Sequence, residues 1–437
     1  MPKKDEIQIA AILYFVGGLF ESESGSLSWH YDSGLTLFVF GRLIYGAGIA
    51  LSFHAVLPYV SEYSPPKYRG ILGSTTEVMV VTGVFLSYTA GYLTHNESNG
   101  WQVPFRASYI VAVFMGSLSL FLPQSITWMI RNNIPADEML RELQFVYPNA
   151  TPADVAKVEQ QHEAEMRTRE KWNNVWKNDA TEDFFHRTFL LLPPEIKLLL
   201  SDNNLLRCLM LTITLVIIQN LAGQSAILYF AGDIFDELCP NTPYSCIFGL
   251  GLVKILPAYA IFFIADSLGR RVYLIAGGSI MLLGLFLVCV SLGSDSGVAL
   301  FGIYASVVGY EVSFGIMLWI LISEIFPSFV RSSANSISIA VMFLLSTIVT
   351  YSLPYLEDSI GLIGIFSVFT AVSAISLLIF YLFVPETRGV DIEVCYKLVS
   401  QKYVETLKAV CDVDIIEDEI DIVQNTGATE NSNLLVL

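Results

Sequence analysis

Ten long stretches of apolar residues run through the chain without the regular polar interruptions of an amphipathic helix. An apolar stretch of about 18 or more residues can cross a bilayer as a helix, and lipid offers backbone polar groups no other partner. Only 15% of the 437 residues are charged, against about 25% in soluble domains. The sequence therefore predicts an all-α integral membrane protein of about ten transmembrane helices. These helices are expected at Ile7–Phe20, Gly34–Val60, Ile71–Leu93, Ala107–Ile130, Leu206–Phe230, Ile247–Ala265, Val272–Leu292, Val298–Ile322, Ala334–Leu356 and Ile360–Val384.

The loops between these helices differ in their content of lysine and arginine. One set of loops holds nearly all of them, whereas the opposite loops hold only Arg106. Because loops rich in lysine and arginine stay in the cytosol, we expect the first set, the 131–205 loop and both termini to be cytosolic. The net charge of −17 is compatible with this orientation, since acidic residues contribute little to it. The membrane itself is left open between the plasma membrane and a vacuolar or endosomal membrane.

The opposite loops carry two further features. Asn96-Glu97-Ser98 is a glycosylation sequon on that side. Cys239 and Cys246 share one short loop, so they are either a disulfide or two free thiols. The six cysteines show no metal-ligand spacing, and no metal or cofactor is expected.

A motif recurs in the two parts of the chain. The pattern S-E-x-x-P-x-x-x-R occurs at 61–69 and again at 323–331, and Pro123 and Pro385 are separated by the same offset. The chain is therefore read as a duplication, as many transporter folds are, with a unit of six helices. The second half has all six helices, and the first is expected to lack its first two. The predicted parts are a first half (1–130), a cytosolic linker (131–205), a second half (206–384) and an acidic cytosolic tail (385–437).

The loop motifs and their order resemble the sugar porter family of the major facilitator superfamily. Within that family the chain is similar to the plant vacuolar and plastid glucose-transporter branch. The resemblance covers nearly all of residues 1–392 and implies two pseudo-symmetric bundles around a central cavity, here with four plus six helices. The motifs that carry it are Gly41-Arg42, Glu62 to Arg69-Gly70, Asp266 to Arg271, Glu324 to Arg331, Pro385 to Gly389, and the segment 219–230, QNLAGQSAILYF.

Polar residues inside the apolar runs are the candidate ligand-binding residues. Such residues usually face a cavity or one another, and amides and hydroxyls suit a polyol, whose hydroxyls need donors and acceptors. The resemblance implies sugar contacts at several of these positions, stacking of a sugar ring on Trp319 and a helix bend at Gly315. The alternative is hydrogen bonding between helices. The candidates are Gln219, Asn220, Gln224, Ser225, Tyr229, Glu311, Gly315 and Trp319.

Glu77 and Lys254 are the most unusual residues within the apolar runs. The resemblance places their helices face to face across the interface between the halves. We therefore expect them to form an ion pair near the sugar site, which could also relay protons. The alternative is that Lys254 extends its ammonium group to the membrane surface.

Charged residues of the loop motifs form a second candidate set. The resemblance implies an ion-pair lattice that latches the cytosolic ends of the two halves during alternating access. The alternative is that positive charge simply anchors the topology. The predicted latch residues are Arg42, Glu62, Arg69, Asp266, Arg270, Arg271, Glu324, Arg331 and Glu386.

The predicted function is transport of a monosaccharide, a hexose such as glucose, by alternating access and with protons as a candidate coupling ion. The sequence shows no catalytic constellation and no sign of a nucleic-acid partner. Two alternatives stay open. The absent first two helices and the altered segment 123–127, Pro-Gln-Ser-Ile-Thr, favour a degenerate sugar sensor or a fragment. Lys254 keeps open a different polar solute, such as inositol or an organic acid.

Overall fold

The computed structural model describes residues 2–25, 31–64, 69–160, 163, 166–167, 193–265, 267–294, 296–389 and 392–411. Every regular element in these ranges is helical. Residues 412–437 of the predicted acidic tail lie outside them. The helices are α1 Lys3–Glu23, α2 Tyr31–Tyr63, α3 Arg69–Thr94, α4 Gln102–Ser119, α5 Ile126–Arg131, α6 Ala136–Val146, α7 Pro194–Ser201, α8 Asn203–Leu221, α9 Gln224–Tyr229, α10 Ala231–Leu238, α11 Pro243–Ile264, α12 Arg270–Ser291, α13 Ser296–Tyr310, a π-helical turn Glu311–Gly315, α14 Met317–Ile325, α15 Ser328–Phe383 and α16 Ile392–Cys411.

All ten predicted runs lie mainly in helices, and six segments of the described chain are long and apolar enough to cross a membrane. The last of them, Val330–Phe383, has 54 residues. At 1.5 Å per residue it is about 80 Å long, enough for two crossings of a hydrocarbon core of about 30 Å. Gly361, with φ 69° and ψ 172°, breaks it into two arms, because this backbone conformation is readily available only to glycine.

Two predicted runs are interrupted where one continuous helix was expected. The fourth run ends at Ser119 and resumes in α5 at Ile126. Pro123 lies in the gap, where it lacks an N–H group and disfavours helical geometry at the residue before it. The fifth run breaks at Gly223, whose φ is 88°. The phenyl ring of Phe369 packs directly against this glycine and leaves no room for a side chain there.

The linker and the tail both contain structure that packs on the helical bundle. The linker helix α6 and the helical residues 152–160 share a small apolar cluster with α5 at the end of the first half, and this cluster includes Met129, Met139 and Val155. The predicted tail begins with α16, which packs against α8. The Ser400 hydroxyl donates a hydrogen bond to Asn204 Oδ1 at 2.7 Å. The tail is therefore partly an ordered part of the second half.

The two halves meet along α3, which packs against α11 and α14 of the second half. The hydroxyl oxygens of Thr82 and Tyr259 are 3.2 Å apart across this interface. Tyr88 donates a hydrogen bond to the carbonyl of Leu228 at 2.9 Å. We call the end of the bundle where α2 ends and α12 begins the linker end, and the end where α3 ends and α11 begins the opposite end.

At the opposite end, aromatic rings join the two halves. His95 packs on Tyr244 with ring centroids 4.6 Å apart, and Tyr92 stacks on Phe248 at 5.3 Å. Since aromatic pairs at such distances contribute about 0.5–1.5 kcal/mol beyond their buried area, these rings hold the halves together at this end.

Cys239 and Cys246 form a disulfide between the end of α10 and the start of α11. Of the two alternatives that the sequence left open, the free thiols are wrong. Tyr244 lies within the closed loop, so the disulfide restrains the segment that presents this ring to His95.

Candidate functional site

A buried polar cluster forms where α8 ends and the π-helical turn begins. The amide nitrogen of Gln219 donates a hydrogen bond to the Tyr310 hydroxyl at 3.1 Å. Gln219 is buried, and its carbonyl oxygen has no hydrogen-bond partner among the described residues. An unpaired amide oxygen in a dry environment costs free energy, so this atom is available for a ligand donor.

Lys254 and Glu311 form an ion pair within this cluster. The ammonium group also lies 5.5 Å from the centroid of the Tyr310 ring. Only Oε1 of Glu311 is engaged; Oε2 is buried without a partner in the described part of the chain. A Cβ atom at Gly315 would lie 2.8 Å from that oxygen, so the glycine leaves room for the carboxylate. The π-helical turn at 311–315 supplies both Glu311 and Gly315, and such turns are frequent at functional sites.

The predicted ion pair between Glu77 and Lys254 is not the one that forms. Lys254 bonds to Glu311, which belongs to the same half and packs beside α11. Glu77 is half-buried on α3 across the interface and interacts electrostatically with both groups. The sequence cannot show this choice, because the partner depends on how the helices are rotated. The alternative that Lys254 reaches the membrane surface is also wrong, since only 3% of the residue is exposed.

The remaining candidate residues lie in different surroundings. Gln224 is buried, and its amide nitrogen has no partner among the described residues. Asn220 is buried too, but its amide donates to the Val216 carbonyl of the same helix at 2.9 Å. Tyr229 is 67% exposed, outside the buried cluster. Ser225 and Trp319 are half-buried, and neither has a described polar contact with the cluster.

Tyr310 is a residue of the cluster that the sequence did not single out. Its hydroxyl accepts from Gln219 and its ring faces Lys254, so it links the amide to the ion pair. Tyrosine is common in apolar runs because its ring packs as a hydrophobic group. Its position directly before Glu311 in the sequence was the one signal that could have pointed to it.

Four of the predicted latch residues come together at the linker end. Arg270 donates to Glu324 at 2.8 Å, and the backbone N–H groups of Arg270 and Arg271 donate to Glu386 at 2.8 and 3.2 Å. Thr387 adds a hydrogen bond to Glu324 at 2.6 Å. All of these contacts lie within the second half, so a latch between the halves stays a prediction.

Other predicted latch residues have separate partners. Glu62 accepts hydrogen bonds from Ser125 Oγ at 2.7 Å and Thr127 N at 2.6 Å, so it caps α5. Arg331 donates to the Phe326 carbonyl at 3.1 Å. Asp266 and the side chain of Arg69 lie outside the described residues.

The structure places Arg42 far from the linker end, contrary to its assignment to the latch. It stands on α2 well before the end of that helix at Tyr63, about 30 Å along the axis at 1.5 Å per residue. There it lies 3.5 Å from Glu21 of α1 and over the Phe105 ring at 5.0 Å. The loop position assumed from the motif was wrong because α2 continues through the Gly41-Arg42 pair.

Comparison with known proteins decides the family. The family model described as "Sugar (and other) transporter" matches residues 2–397. The chain belongs to this family. Its members are multi-pass membrane transporters of the major facilitator superfamily rather than enzymes.

Two members of the family and one solved structure are similar to this chain. This sugar-transporter chain is 29% identical over 405 residues to the Arabidopsis thaliana D-xylose-proton symporter-like 2, covering 90% of this chain and 75% of that protein. It is also 29% identical over 406 residues to the chloroplastic D-xylose-proton symporter-like 3 of the same plant, covering 90% and 68%. Among solved structures, the proton:xylose symporter XylE bound to 6-bromo-6-deoxy-D-glucose superposes with a TM-score of 0.71 at 21% identity. The superposition covers 91% of this chain and 83% of that one. The structural match shows the fold.

Proposed function

We propose that this sugar transporter moves a monosaccharide, a hexose such as glucose or a pentose such as D-xylose, by alternating access coupled to protons. The observation that carries the proposal is a pair of buried oxygens that have no hydrogen-bond partner among the described residues, Gln219 Oε1 and Glu311 Oε2. Both are acceptors, and each can receive a hydrogen bond from a sugar hydroxyl. The names of the two Arabidopsis relatives support D-xylose and protons as solutes.

The arrangement of the charges favours a neutral polyol over an organic acid. Lys254 is the cation that kept an anionic substrate open, and its ammonium group is already neutralised by Glu311. An incoming carboxylate would have to displace Glu311 from a buried ion pair, which is costly. Inositol remains an alternative polyol for the same acceptors.

The proposed site lies between the halves, since the cluster of the second half faces Glu77 on α3. Such a position is accessible from one side at a time when the halves rock about it. The predicted orientation places the linker end and both termini in the cytosol, in the plasma membrane or in a vacuolar or endosomal membrane.

The test is counterflow exchange by the purified chain in liposomes. Labelled D-xylose and D-glucose are offered against an internal pool of unlabelled sugar, with myo-inositol and a small carboxylate as competitors. We expect saturable exchange of a monosaccharide that the carboxylate does not inhibit. Absence of exchange with every one of these sugars would contradict the proposal and favour a sensor without transport.

Gln219→Ala and Asn220→Ala form a matched pair for this assay. We expect Gln219→Ala to raise the half-saturating sugar concentration about tenfold, as loss of one hydrogen bond of about 1–1.5 kcal/mol implies. We expect a smaller effect from Asn220→Ala, because that amide is bonded within α8. Equal effects would show that the site extends around the helix.

A further inference from the structure

The buried cluster contains three charged groups, of which only one is positive. Lys254 and Glu311 neutralise each other in a direct ion pair. Glu77 is the third group, and Lys254 is the one cation among the described residues that interacts with it. With all three groups ionised, the cluster therefore carries one excess negative charge.

Within the described part of the chain, Lys254 is the positive charge that interacts with Glu77, and it is already paired with Glu311. Glu77 lies on α3, which packs against α11, and the described groups that interact with it electrostatically are Lys254 on α11, Glu311 in the π-helical turn and Tyr310 on α13. Gln219 on α8 adds a neutral amide, which is already bonded to Tyr310. An unbalanced charge inside a membrane protein is costly, and such carboxylates commonly mark proton pathways.

Glu77 also differs from the other two charged groups in its place in the fold. It belongs to α3 of the first half, whereas Lys254 and Glu311 belong to the second half. When the halves move relative to each other, the distance from Glu77 to the ion pair changes, while the Lys254–Glu311 contact stays within one body. An ionised Glu77 therefore opposes closure of the site, and a neutral Glu77 permits it.

A proton on Glu77 changes this contact in two ways. It removes the excess charge, and it converts the carboxylate into a carboxylic acid with one O–H donor. Glu311 Oε2 and Gln219 Oε1 are acceptors of the same cluster that have no partner among the residues the structure describes. The protonated side chain can thus bond to one acceptor directly or through a sugar hydroxyl.

We propose that Glu77 carries the proton that moves with each sugar, and that the neutral Lys254–Glu311 pair prevents the second half from taking that role. The inference rests on the proposed sugar transport. The proton binds to the Glu77 carboxylate when the site is open on one side, remains on it while the halves close, and leaves on the other side. The proton comes from hydronium in the water on the first side, whose O–H bond breaks as the Glu77 O–H bond forms, and it returns to water on the other side.

The test compares Glu77→Gln with Glu21→Gln in liposomes. Glu21 is a matched control, because it is a carboxylate in the first half, only 1% exposed and beside an arginine, but outside the cluster. Two quantities are measured for each protein: counterflow exchange of sugar, and accumulation of sugar driven by a pH gradient. Counterflow tests transport itself, and accumulation tests proton coupling.

We expect Glu77→Gln to lower gradient-driven accumulation at least tenfold relative to its own counterflow rate, and Glu21→Gln to keep the wild-type ratio. Accumulation by Glu77→Gln at the wild-type ratio would overturn the assignment. So would loss of accumulation in Glu21→Gln with retention in Glu77→Gln, which would place the proton on Glu21.

Infrared spectroscopy provides a second measurement that does not require transport. A protonated carboxyl group has its own C=O absorption, and we expect a component that titrates with pH in the wild type and in Glu21→Gln but is missing in Glu77→Gln. An unchanged component in Glu77→Gln would overturn the assignment even if the wild type exchanges no sugar. A protein that shows the component without exchange would disprove only the proposed transport.

Discussion

Lys254 and Glu311 form an ion pair that is almost closed off from solvent, with 3% and 0% of the two residues exposed. The pair connects α11 to the π-helical turn, and Tyr310 covers it from one side. Each partner is buried only because the other neutralises it, so the pair behaves as one unit.

The first prediction concerns the removal of one partner of this pair. Lys254→Met leaves Glu311 as a buried uncompensated charge and is expected to lower the free energy of unfolding by about 3–5 kcal/mol. Adding Glu311→Gln removes that charge and should restore most of the loss. Thermal unfolding of the purified variants in detergent measures both effects, and simply additive losses would contradict the pairing. A double-mutant cycle of Glu77→Gln with Lys254→Gln should give a smaller coupling energy than the cycle of Lys254 with Glu311.

The second prediction concerns orientation. Asn96-Glu97-Ser98 and Asn149-Ala150-Thr151 are two glycosylation sequons on exposed segments at opposite ends of the bundle. If the linker is cytosolic, expression with microsomes should add a glycan to the first alone. Asn96→Gln should then abolish the change in gel mobility, and Asn149→Gln should not. The reverse result would invert the predicted topology.

The third prediction concerns the cap of α12. Glu386 accepts the N–H groups of the first two residues of that helix, Arg270 and Arg271, where a negative charge also complements the helix dipole. Glu386→Ala should lower the free energy of unfolding by about 1–2 kcal/mol, and Glu386→Gln by about half of that or less. Glu357→Ala, an exposed glutamate at the opposite end, is the control. Equal losses for Glu386→Ala and this control would argue against the cap.

The fourth prediction concerns the crossing of α12 and α13. A Cβ atom at Gly309 would overlap the backbone nitrogen of Met281 and lie 2.6 Å from the Gly277 carbonyl oxygen. Backbone atoms cannot move aside without separating the helices, so Gly309→Ala should lower the free energy of unfolding by about 1–3 kcal/mol. Gly91→Ala on α3, with nothing within 4 Å of the added atom, should be neutral or slightly stabilising. Thermal unfolding of the two variants decides, and a neutral Gly309→Ala would disprove the close crossing.

The fifth prediction concerns the docking of α16. Burial, with a smaller contribution from Glu324, raises the pKa of the Cys395 thiol to about 12. Because the reactive form is the thiolate, maleimide should label Cys395 slowly near neutral pH, and the rate should increase with pH. Val399→Asp places a charge at a fully buried position and should release the helix and speed labelling. The assay uses the Cys208→Ala/Cys289→Ala/Cys411→Ala background, which leaves Cys395 as the thiol outside the disulfide. Fast labelling before release would show that α16 is not docked.

The arrangement of the helices could largely be predicted from the chain, because the signals are linear. Apolar runs marked the long helices between Lys3 and Phe383, but not the 20-residue helix α16 of the tail. The interruptions at Pro123 and Gly223 carry residues that weaken helices. The loop motifs identified the family in the same way, since their spacing along the chain is the signal. Polar or charged residues inside apolar runs also pointed to Gln219, Lys254 and Glu311, which the fold brings together.

The partners of these residues could be decided only by the tertiary structure. Two carboxylates, Glu77 and Glu311, were candidate partners of Lys254. The rotation of α11 against the π-helical turn brings Lys254 to Glu311 rather than to Glu77. Arg42 belongs to a loop motif by sequence, but the continuation of α2 carries it to Glu21. The sequence by itself determined which long apolar segments are helices and which residues cannot face lipid, because both follow from composition along the chain. Tertiary structure decided which of those residues meet, because contact depends on the rotation and depth of whole helices.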